Sequence, residues 1–329
     1  MTSLTSLMAN NVVWDNHACM PLRAEDIEFL DRLDMYEGAY GNVVVLNIGF
    51  DLTAEDPLEA FLVLSNFRAW IKERSDKYLL IETVTDIEVA RESGRLGVCF
   101  NIEGGGVLQG QTGLVSLFYD LGVRWMLIAY NRQNALGGGC AEADTGLTEF
   151  GRRVIDEMER VGMILCCSHT GYRTAAEAIE YSRKPVIFSH SNPRALHDHE
   201  RNIPDYLIRA CAETGGVVNL NGVGIFLGEN DDSTETFVRH VQYVADLVGH
   251  EHVGMGLDYV FDQSELKAFV EGNPDLYPPE KGYSDGMRMI APSRIPEIAD
   301  HLLRVGWDDD QLIGFLGANN LRVARQVWR

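Results

Sequence analysis

Short apolar runs rich in β-branched residues alternate along the chain with longer segments of helical spacing. Most of these runs are hydrophobic on both faces, which is typical of parallel strands that are covered on both sides. Eight runs fit this description: NVVWDNH, GNVVVLNIGF, LGVCFNIEGG, VRWMLIAYN, GMILCCSH, KPVIFSH, GGVVNLNGV and HVGMGLDYV. Helices between such strands pack on the sheet, so the alternation predicts an α/β fold.

Three of the intervening segments present one apolar face at helical spacing. The positions are Phe150, Val154, Met158 and Val161 in the first, Val238, Val241, Ala245 and Val248 in the second, and Ile295, Ile298, Leu302 and Val305 in the third. Asp308 follows the third segment, where its carboxylate can cap the next helix.

Eight strand–helix units predict a (β/α)8 TIM-type barrel rather than an open doubly wound sheet. The first predicted strand is not followed by a glycine fingerprint, and EGGG at 103–106 lacks the lysine and the spacing of a phosphate loop. Because no Pro-, Gly- or Ser-rich linker divides the chain, we expect a single domain over residues 1–329. Residues 262–294, with prolines at 274, 278, 279 and 292, are predicted to form an extended loop or lid after the eighth strand.

The composition excludes several classes of partner. A formal net charge of −21 argues against nucleic acid, whose binding needs a basic surface. No apolar run of about 18 residues and no signal segment are found, so we expect neither membrane insertion nor secretion. The six cysteines lack disulfide or CxxC spacing, which favours free thiols and a cytoplasmic location.

In a barrel of this kind the active site lies at the carboxyl ends of the strands. The polar residues that end the predicted strands are Asp15, His17, Glu103, Tyr130, Asn131, His169, His190, Asn219, Asn221 and Asp258. His169 and His190, in the Ser-His pairs of CCSHTG and FSHSNP, end successive strands. Both imidazoles can therefore reach one metal cluster.

Three histidines and Glu103 are the ligand set expected for a zinc hydrolytic centre. A carboxylate can bridge two metal ions about 3.5–4 Å apart, and the hydroxide between them attacks the substrate. Asp258 is suited to proton transfer, and Arg201, in HERNIP, can hold a substrate carboxylate bidentately. His197 and His199, in the polar loop ALHDHERN, are predicted to be solvated. The pattern indicates metal-assisted hydrolysis.

The chain resembles the membrane dipeptidase (renal dipeptidase) family of metallopeptidases, within the amidohydrolase-like barrels. The matching stretches are WDNHACMP, NIEGGG, GLTEFGRRVIDEMERVGMILCCSHTG, RKPVIFSHSNPRALHDHERNIPD, VGMGLDYV and GFLGANNLRV. They extend from Trp14 to Val323. The resemblance implies a two-zinc dipeptidase whose small-molecule substrates are dipeptides, often including those with a C-terminal D-residue. Relatives with this barrel often form dimers, so the resemblance also suggests a homodimer.

The resemblance also implies roles for individual residues. By motif position, His17 binds the first metal ion, Glu103 bridges the two ions, and His169 and His190 bind the second. The family pattern near the start is His-x-Asp, and its aspartate is a ligand of the first ion; here that position is Cys19. A thiolate is a good zinc ligand, but it is softer and more electron-donating than a carboxylate.

The remaining roles concern substrate and proton. Arg201 corresponds to the arginine that receives the terminal carboxylate, and Asp258 to the acidic residue that handles the proton. Tyr130 stands where mammalian members carry a histidine that steadies the substrate carbonyl, and a phenol can also donate to an oxyanion. Cys166 replaces an aspartate common before the Ser-His pair of the fifth strand, and its direction in the barrel is left open.

Cys19 leaves alternatives open. As a ligand it completes a centre of one or two zinc ions per chain; as an inert buried thiol it leaves the first site weak or empty. One alternative function is an amidase or lactonase that acts on another carboxylate-bearing metabolite. Another is a non-hydrolytic binding or biosynthetic tailoring protein that keeps the barrel without a working metal centre.

Overall fold

Eight parallel strands close into a barrel. The computed structural model describes residues 3–25, 27–51, 56–283 and 286–329. The strands in this part of the chain are β1 Trp14–Cys19, β2 Val43–Phe50, β3 Tyr78–Leu80, β4 Leu96–Glu103, β5 Val123–Leu127, β6 Ile164–Cys166, β7 Ile187–Phe188, β8 Val217–Leu220, β9 Val253–Met255 and β10 Tyr259–Val260.

The order of strand pairing confirms the predicted (β/α)8 TIM-type architecture. Neighbours pair in parallel in the order β1, β2, β4, β5, β6, β7, β8 and β9. Asp15 of β1 then pairs with Met255 of β9, which closes the barrel. The short strand β3 pairs with the first half of β4, opposite Leu96–Val98, and was not predicted.

The last predicted strand, HVGMGLDYV, is divided in the structure into β9 and β10. Asp258 lies in the break with a left-handed backbone (φ 58°) and donates its N–H to the carbonyl of His17 over 2.9 Å. Gly256 passes so close to the Ser189 carbonyl that a Cβ atom would lie 1.9 Å from it. The close approach and the turned backbone interrupt the ladder, and β10 then pairs with the end of β1.

Helices cover the outside of the barrel. The α-helices are α1 Leu4–Asn10, α2 Pro57–Glu73, α3 Val84–Ser93, α4 Gly113–Asp120, α5 Glu149–Val161, α6 Tyr172–Tyr181, α7 Asp205–Glu213, α8 Gly224–Leu227, α9 Thr234–Val248, α10 Gln263–Gly272, α11 Ile295–Arg304, α12 Asp309–Ile313 and α13 Asn319–Val327. A 3-10 segment of 12 residues covers Glu28–Ala39. Shorter 3-10 segments are Gly106–Leu108, His250–His252, Pro279–Lys281 and Pro292–Arg294, and Gly314–Ala318 is a π-helical turn.

The three predicted helical faces fall on α5, α9 and α11. Val305 is an exception, since it follows the end of α11 and is 50% exposed. The predicted cap is confirmed: the Asp308 carboxylate accepts from the Gln311 N–H, and the Gln311 side chain accepts from the Asp308 N–H. This reciprocal arrangement satisfies two amides that the helix itself leaves unpaired.

Alternating side chains of the strands separate two apolar layers. Val43 and Val45 of β2 point into the barrel, whereas Val44 and Leu46 pack against the surrounding helices. The inner layer also contains four residues of α13: Leu321, Val323, Ala324 and Val327. Because α13 closes the amino end of the barrel, the carboxyl end is left for the site.

Residues 262–294 are not irregular throughout. They begin with α10, whose first turn is capped by the Asp262 carboxylate through the N–H groups of Ser264 and Glu265. The segment later returns to the barrel, where the Ile290 N–H donates to the Gly222 carbonyl over 3.0 Å. That the segment serves as a lid stays a prediction.

Candidate metal centre

Four predicted ligands come together at the carboxyl end of the barrel. His17 lies within β1 and Glu103 is the last residue of β4. His169 follows the end of β6 by three residues, and His190 follows the end of β7 by two. All four are buried, with between 0 and 7% of the residue exposed.

One carboxylate oxygen lies at the centre of this group. Glu103 Oε1 is 3.4 Å from Nε2 of His17, 3.6 Å from Nε2 of His169 and 3.3 Å from Nε2 of His190. The other oxygen, Oε2, accepts a hydrogen bond from Asn47 Nδ2 over 3.0 Å. Within the described residues, Glu103 Oε1 and His190 Nε2 are buried and make no hydrogen bond. Buried polar atoms are normally satisfied, so these two fit a cation that they would share.

Asparagine side chains set the orientation of two imidazoles. His17 Nδ1 lies 3.3 Å from Asn101 Oδ1, and His169 Nδ1 lies 2.7 Å from Asn131 Oδ1. An amide oxygen accepts hydrogen bonds and does not donate them, so each Nδ1 carries the proton. In the neutral ring of His169, Nε2 therefore presents its lone pair toward Glu103, which is the tautomer that a metal ligand requires.

Burial keeps two of the histidines neutral. It lowers the pKa of His169 well below the usual value, and the positive charge of Arg201 acts in the same direction. Burial also lowers the pKa of His190, with a further contribution from His17. His190 Nδ1 lies 2.8 Å from Ser189 Oγ, which fixes its ring. Neutral imidazoles are the form that binds a metal ion.

Cys19 belongs to a second group of possible ligands. Its Sγ lies 3.4 Å from His17 Nε2 and 3.7 Å from Asp258 Oδ1, and the latter oxygen is 3.4 Å from the same His17 nitrogen. Burial raises the pKa of the Cys19 thiol to about 12. A divalent cation at this position would offset that cost by favouring the thiolate.

Three residues of the site have left-handed backbone conformations: φ is 58° at Asn131, 61° at His169 and 58° at Asp258. Residues with a Cβ atom seldom adopt this region, and such strain concentrates at functional sites. The backbone around His169 is held by a hydrogen bond from the Cys140 N–H to its carbonyl over 2.9 Å.

Asp258 connects the centre with the open part of the site. Its Oδ2 accepts a hydrogen bond from Asn221 Nδ2 over 2.8 Å, while Oδ1 faces His17 and Cys19. The side chain is 16% exposed and lines the cavity above the centre. Asp258 is therefore accessible to a molecule in the cavity while it contacts the candidate ligands.

Arg201 is buried in the wall of the same cavity. Only 3% of the residue is exposed, and its guanidinium lies 5.3 Å from the centre of the Phe226 ring. One Nη2 hydrogen bond reaches the His190 carbonyl over 3.4 Å, while Nε and Nη1 find no partner among the described residues. A buried guanidinium whose N–H groups are not all hydrogen-bonded can bind an anionic group such as a carboxylate.

Tyr130 packs directly on the centre. Its ring stacks on the His169 ring with centroids 4.1 Å apart. The phenol oxygen lies 3.0 Å from that of Tyr277, a residue of the segment that follows α10. Tyr130 thus joins a candidate ligand to the segment over the cavity, which has a volume of about 260 Å³.

Sequence reasoning missed several supporting residues. Asn47, Asn101 and Ser189 received no role, although each holds a candidate ligand in place. Asn101 precedes Glu103 by two residues, so period-two alternation on β4 would have placed it on the same face. The open question about Cys166 is answered: it lies in the inner layer below the centre, and its Sγ donates to Ser189 Oγ over 3.1 Å.

The prediction that His199 is solvated was wrong. His199 is 8% exposed, and its two ring nitrogens contact the Arg201 N–H and the Lys281 carbonyl at 3.1 and 3.2 Å. Burial lowers its pKa to about 4. The histidine therefore supports the loop that carries Arg201. The six cysteines are free, as predicted.

Most of the chain matches one protein family. Residues 4–272 match the family described as membrane dipeptidase, peptidase family M19. The chain belongs to this family. Its resemblance to the membrane dipeptidases, inferred above from six sequence stretches, is thereby confirmed.

Individual relatives agree with this assignment. Dipeptidase 3 of Rattus norvegicus is 29% identical over 265 residues, which cover 78% of this chain and 50% of the relative. The chain thus spans about half the length of the curated relatives it matches. The crystal structure of an amidohydrolase from Pseudomonas aeruginosa superposes with a TM-score of 0.87 at 28% identity and covers 99% of both chains.

Another solved structure shares the fold at lower identity. It is a metallo peptidase from Rhodobacter sphaeroides, liganded with a phosphinate mimic of the dipeptide L-Ala-D-Ala. The TM-score is 0.79 at 19% identity, with coverage of 97% of this chain and 100% of the other.

In the part of the chain that the structure describes, no helix has the length and apolar character needed to cross a membrane. The cytoplasmic location and the homodimer stay predictions.

Proposed function

We propose that this chain hydrolyses the peptide bond of small dipeptides with the help of bound metal. The observation that carries the proposal is the convergence of three imidazole Nε2 atoms on Glu103 Oε1. Arg201 lines the same cavity and supplies a buried cation for the substrate carboxylate. Membership of the membrane dipeptidase family supports this reading.

The proposed metal is zinc, with one or two ions per chain. His17 and Cys19 would hold the first ion, His169 and His190 the second, and Glu103 both. Imidazole, thiolate and carboxylate are the ligands that zinc prefers in proteins. The two buried atoms without hydrogen bonds, Glu103 Oε1 and His190 Nε2, support the assignment.

The positions of Glu103 and Asp258 in the site suggest their catalytic roles. A bound zinc ion supplies Lewis acidity toward the scissile carbonyl and makes water more acidic. Glu103 would hold the ions and so orient the attacking water. Asp258 would take the proton that this water loses as its oxygen bonds to the scissile carbon, and would give it to the amide nitrogen as the C–N bond breaks, because Asp258 lies between the candidate ligands and the open cavity. The hydrogen bond from Asn221 holds Oδ2 of Asp258 and leaves Oδ1 toward the reacting groups.

Two residues would bind the substrate. Arg201 would receive the C-terminal carboxylate through Nε and Nη1, the two donors without partners among the described residues. Tyr130 would donate a hydrogen bond from its phenol to the developing oxyanion, in place of its hydrogen bond with Tyr277. We also propose tolerance of a D-residue at the C-terminal position; the phosphinate mimic of L-Ala-D-Ala bound by the metallo peptidase from Rhodobacter sphaeroides supports this.

The test combines metal content with a substrate panel. Protein purified without chelators or a metal-affinity tag is analysed by plasma mass spectrometry, and then assayed against L,L- and L,D-dipeptides, N-acyl amino acids and lactones. We expect about one or two zinc ions per chain and turnover of dipeptides. Turnover confined to N-acyl amino acids or lactones would replace the dipeptide with another carboxylate-bearing substrate. Absence of bound metal even after addition of zinc would instead favour a non-hydrolytic protein.

A further inference from the structure

The residues around Arg201 fix where the C-terminal residue of a bound dipeptide would lie. Phe226 packs beneath the guanidinium, and the Tyr283 ring lies 6.1 Å from the Phe226 ring. Both aromatic residues line the cavity together with Arg201. A molecule whose carboxylate lies on Arg201 therefore has its C-terminal residue at this end, and the rest of the molecule must occupy the remainder of the cavity.

The remainder of the cavity has an apolar surface, which we call the apolar wall. We use this name for five of the apolar residues that line the cavity: Met20, Leu22, Val260, Leu266 and Met289. Met20 follows Cys19 directly in the chain, Leu22 follows it by three residues, and Val260 pairs with Cys19 in the sheet. The apolar wall thus contains neighbours of the candidate ligand Cys19 and, on α10, the cavity-lining residue Leu266.

Acidic side chains at the edge of the apolar wall are already engaged. Asp262 and Glu265 both line the cavity, but each contacts Arg23, at 3.4 and 3.1 Å respectively. Asp262 also caps α10 through Ser264 and Glu265. These contacts hold the two carboxylates at the rim, so the surface offered to a substrate beside Cys19 is dominated by hydrocarbon and thioether groups.

We propose that the residue on the amino side of the scissile bond is large and apolar, and that it binds against the apolar wall. The inference rests on the proposed hydrolysis of dipeptides and adds a substrate class to it. Transfer of an aliphatic or aromatic side chain from water to such a surface is favourable, whereas glycine gains nothing from it. Leu266 is the specificity-determining residue we select, since it lies on α10 and is only partly buried.

The test uses dipeptides that share one C-terminal residue. The metal-loaded full chain is assayed with Gly-Ala, Ala-Ala, Leu-Ala and Phe-Ala, and kcat/KM is compared. We expect Leu-Ala and Phe-Ala to exceed Gly-Ala by about 100-fold. Equal values across the series, or a preference for Gly-Ala, would overturn the inference and leave the proposed function intact. Failure to hydrolyse any dipeptide would overturn the proposed function itself, and the inference with it.

A variant tests the apolar wall directly. Leu266→Ser should lower kcat/KM for Leu-Ala by about tenfold and change that for Gly-Ala by less than about twofold. Leu62→Ser is the matched control, because Leu62 is a 48% exposed leucine on α2, outside the cavity lining. Thermal unfolding of both variants verifies that they are folded. An equal loss for Leu-Ala and Gly-Ala in Leu266→Ser would contradict a role in specificity.

Discussion

The side-chain oxygen of Asn131 lies 2.7 Å from Nδ1 of His169, and both residues have a left-handed backbone. The short contact fixes the proton on Nδ1 and turns Nε2 toward Glu103. Because the strained backbone places both side chains, Asn131 is a positioning residue for a candidate ligand.

Replacement of Asn131 by glycine should weaken metal binding by about 10- to 100-fold. Glycine accepts the positive φ without strain, so the variant removes the hydrogen-bond acceptor and keeps the backbone. Competition with a chromophoric chelator measures the affinity. Asn131→Asp retains an acceptor at the same position and should keep most of the affinity. If the glycine variant binds metal as tightly as the natural chain, the hydrogen bond does not position His169 for a metal ion.

Arg201→Met should lower kcat/KM for dipeptides by about 10²- to 10³-fold, equivalent to about 3–4 kcal/mol. Methionine can still pack on Phe226, so the loss reports mainly the charged hydrogen bonds. The natural enzyme should show a similar loss when the substrate is a dipeptide amide, which lacks the carboxylate. The variant should discriminate little between the dipeptide and its amide. A variant that still prefers the free carboxylate would show that another group binds it.

The candidate ligands could be predicted because each of them lies near the carboxyl end of an apolar strand or just beyond it. In a parallel barrel all strands point their carboxyl ends toward one face, so His17, Glu103, His169 and His190 had to meet there. The positions of the short strands follow from pairing across the barrel. Strand β3 has only three residues, and its strand conformation depends on pairing with β4. The hydrophobic pattern of so short a segment carries no information about that pairing.

Other features depended on contacts between distant parts of the chain. The burial of His199 results from Lys281 and Arg201, which approach it in the fold. The helix α10 carried a readable signal, an N-cap aspartate followed by QSELKAFVEG, but the prolines at 274, 278 and 279 dominated the interpretation of the whole segment. They lie beyond the end of α10 and do not interrupt it.

Asp144 should stabilise the chain in a pH-dependent way. Burial favours its neutral form, but hydrogen bonds from the Thr174 hydroxyl and N–H and from the Gly146 N–H outweigh it and hold the pKa of Asp144 below its usual value. A lowered carboxyl pKa contributes stability above the pKa of the unfolded chain, about 3.9, and loses it as the pH falls through the folded value.

Asp144→Asn should therefore lower the free energy of unfolding by about 1–2 kcal/mol at neutral pH. The difference from the natural chain should shrink below about pH 4. Urea unfolding of metal-free protein at a series of pH values measures both effects. Asp76→Asn changes an exposed aspartate and serves as the control. A difference that stays constant down to acidic pH would show that the charge of Asp144 does not contribute.

Cys19 should coordinate metal through sulfur. Its Sγ lies 3.4 Å from His17 Nε2, close enough for both atoms to bind one ion. Cobalt(II) in place of zinc gives a thiolate-to-metal charge-transfer absorption in the near ultraviolet when sulfur is a ligand. We expect this band in the natural chain and its loss in Cys19→Ser. In Cys19→Asp, which restores the carboxylate of the family pattern, cobalt should bind without the band.

Cys211→Ser is the matched control for this experiment. Cys211 lies on α7, and its Sγ donates to the Val186 carbonyl over 3.1 Å, a hydrogen bond that a serine hydroxyl can also make. The variant should keep the charge-transfer band. If Cys19→Ser keeps it as well, the thiol is not a ligand, and His17 must share the first ion with Asp258 instead. That outcome would make Asp258 a ligand rather than the proton carrier, because its Oδ1 lies 3.4 Å from the same nitrogen.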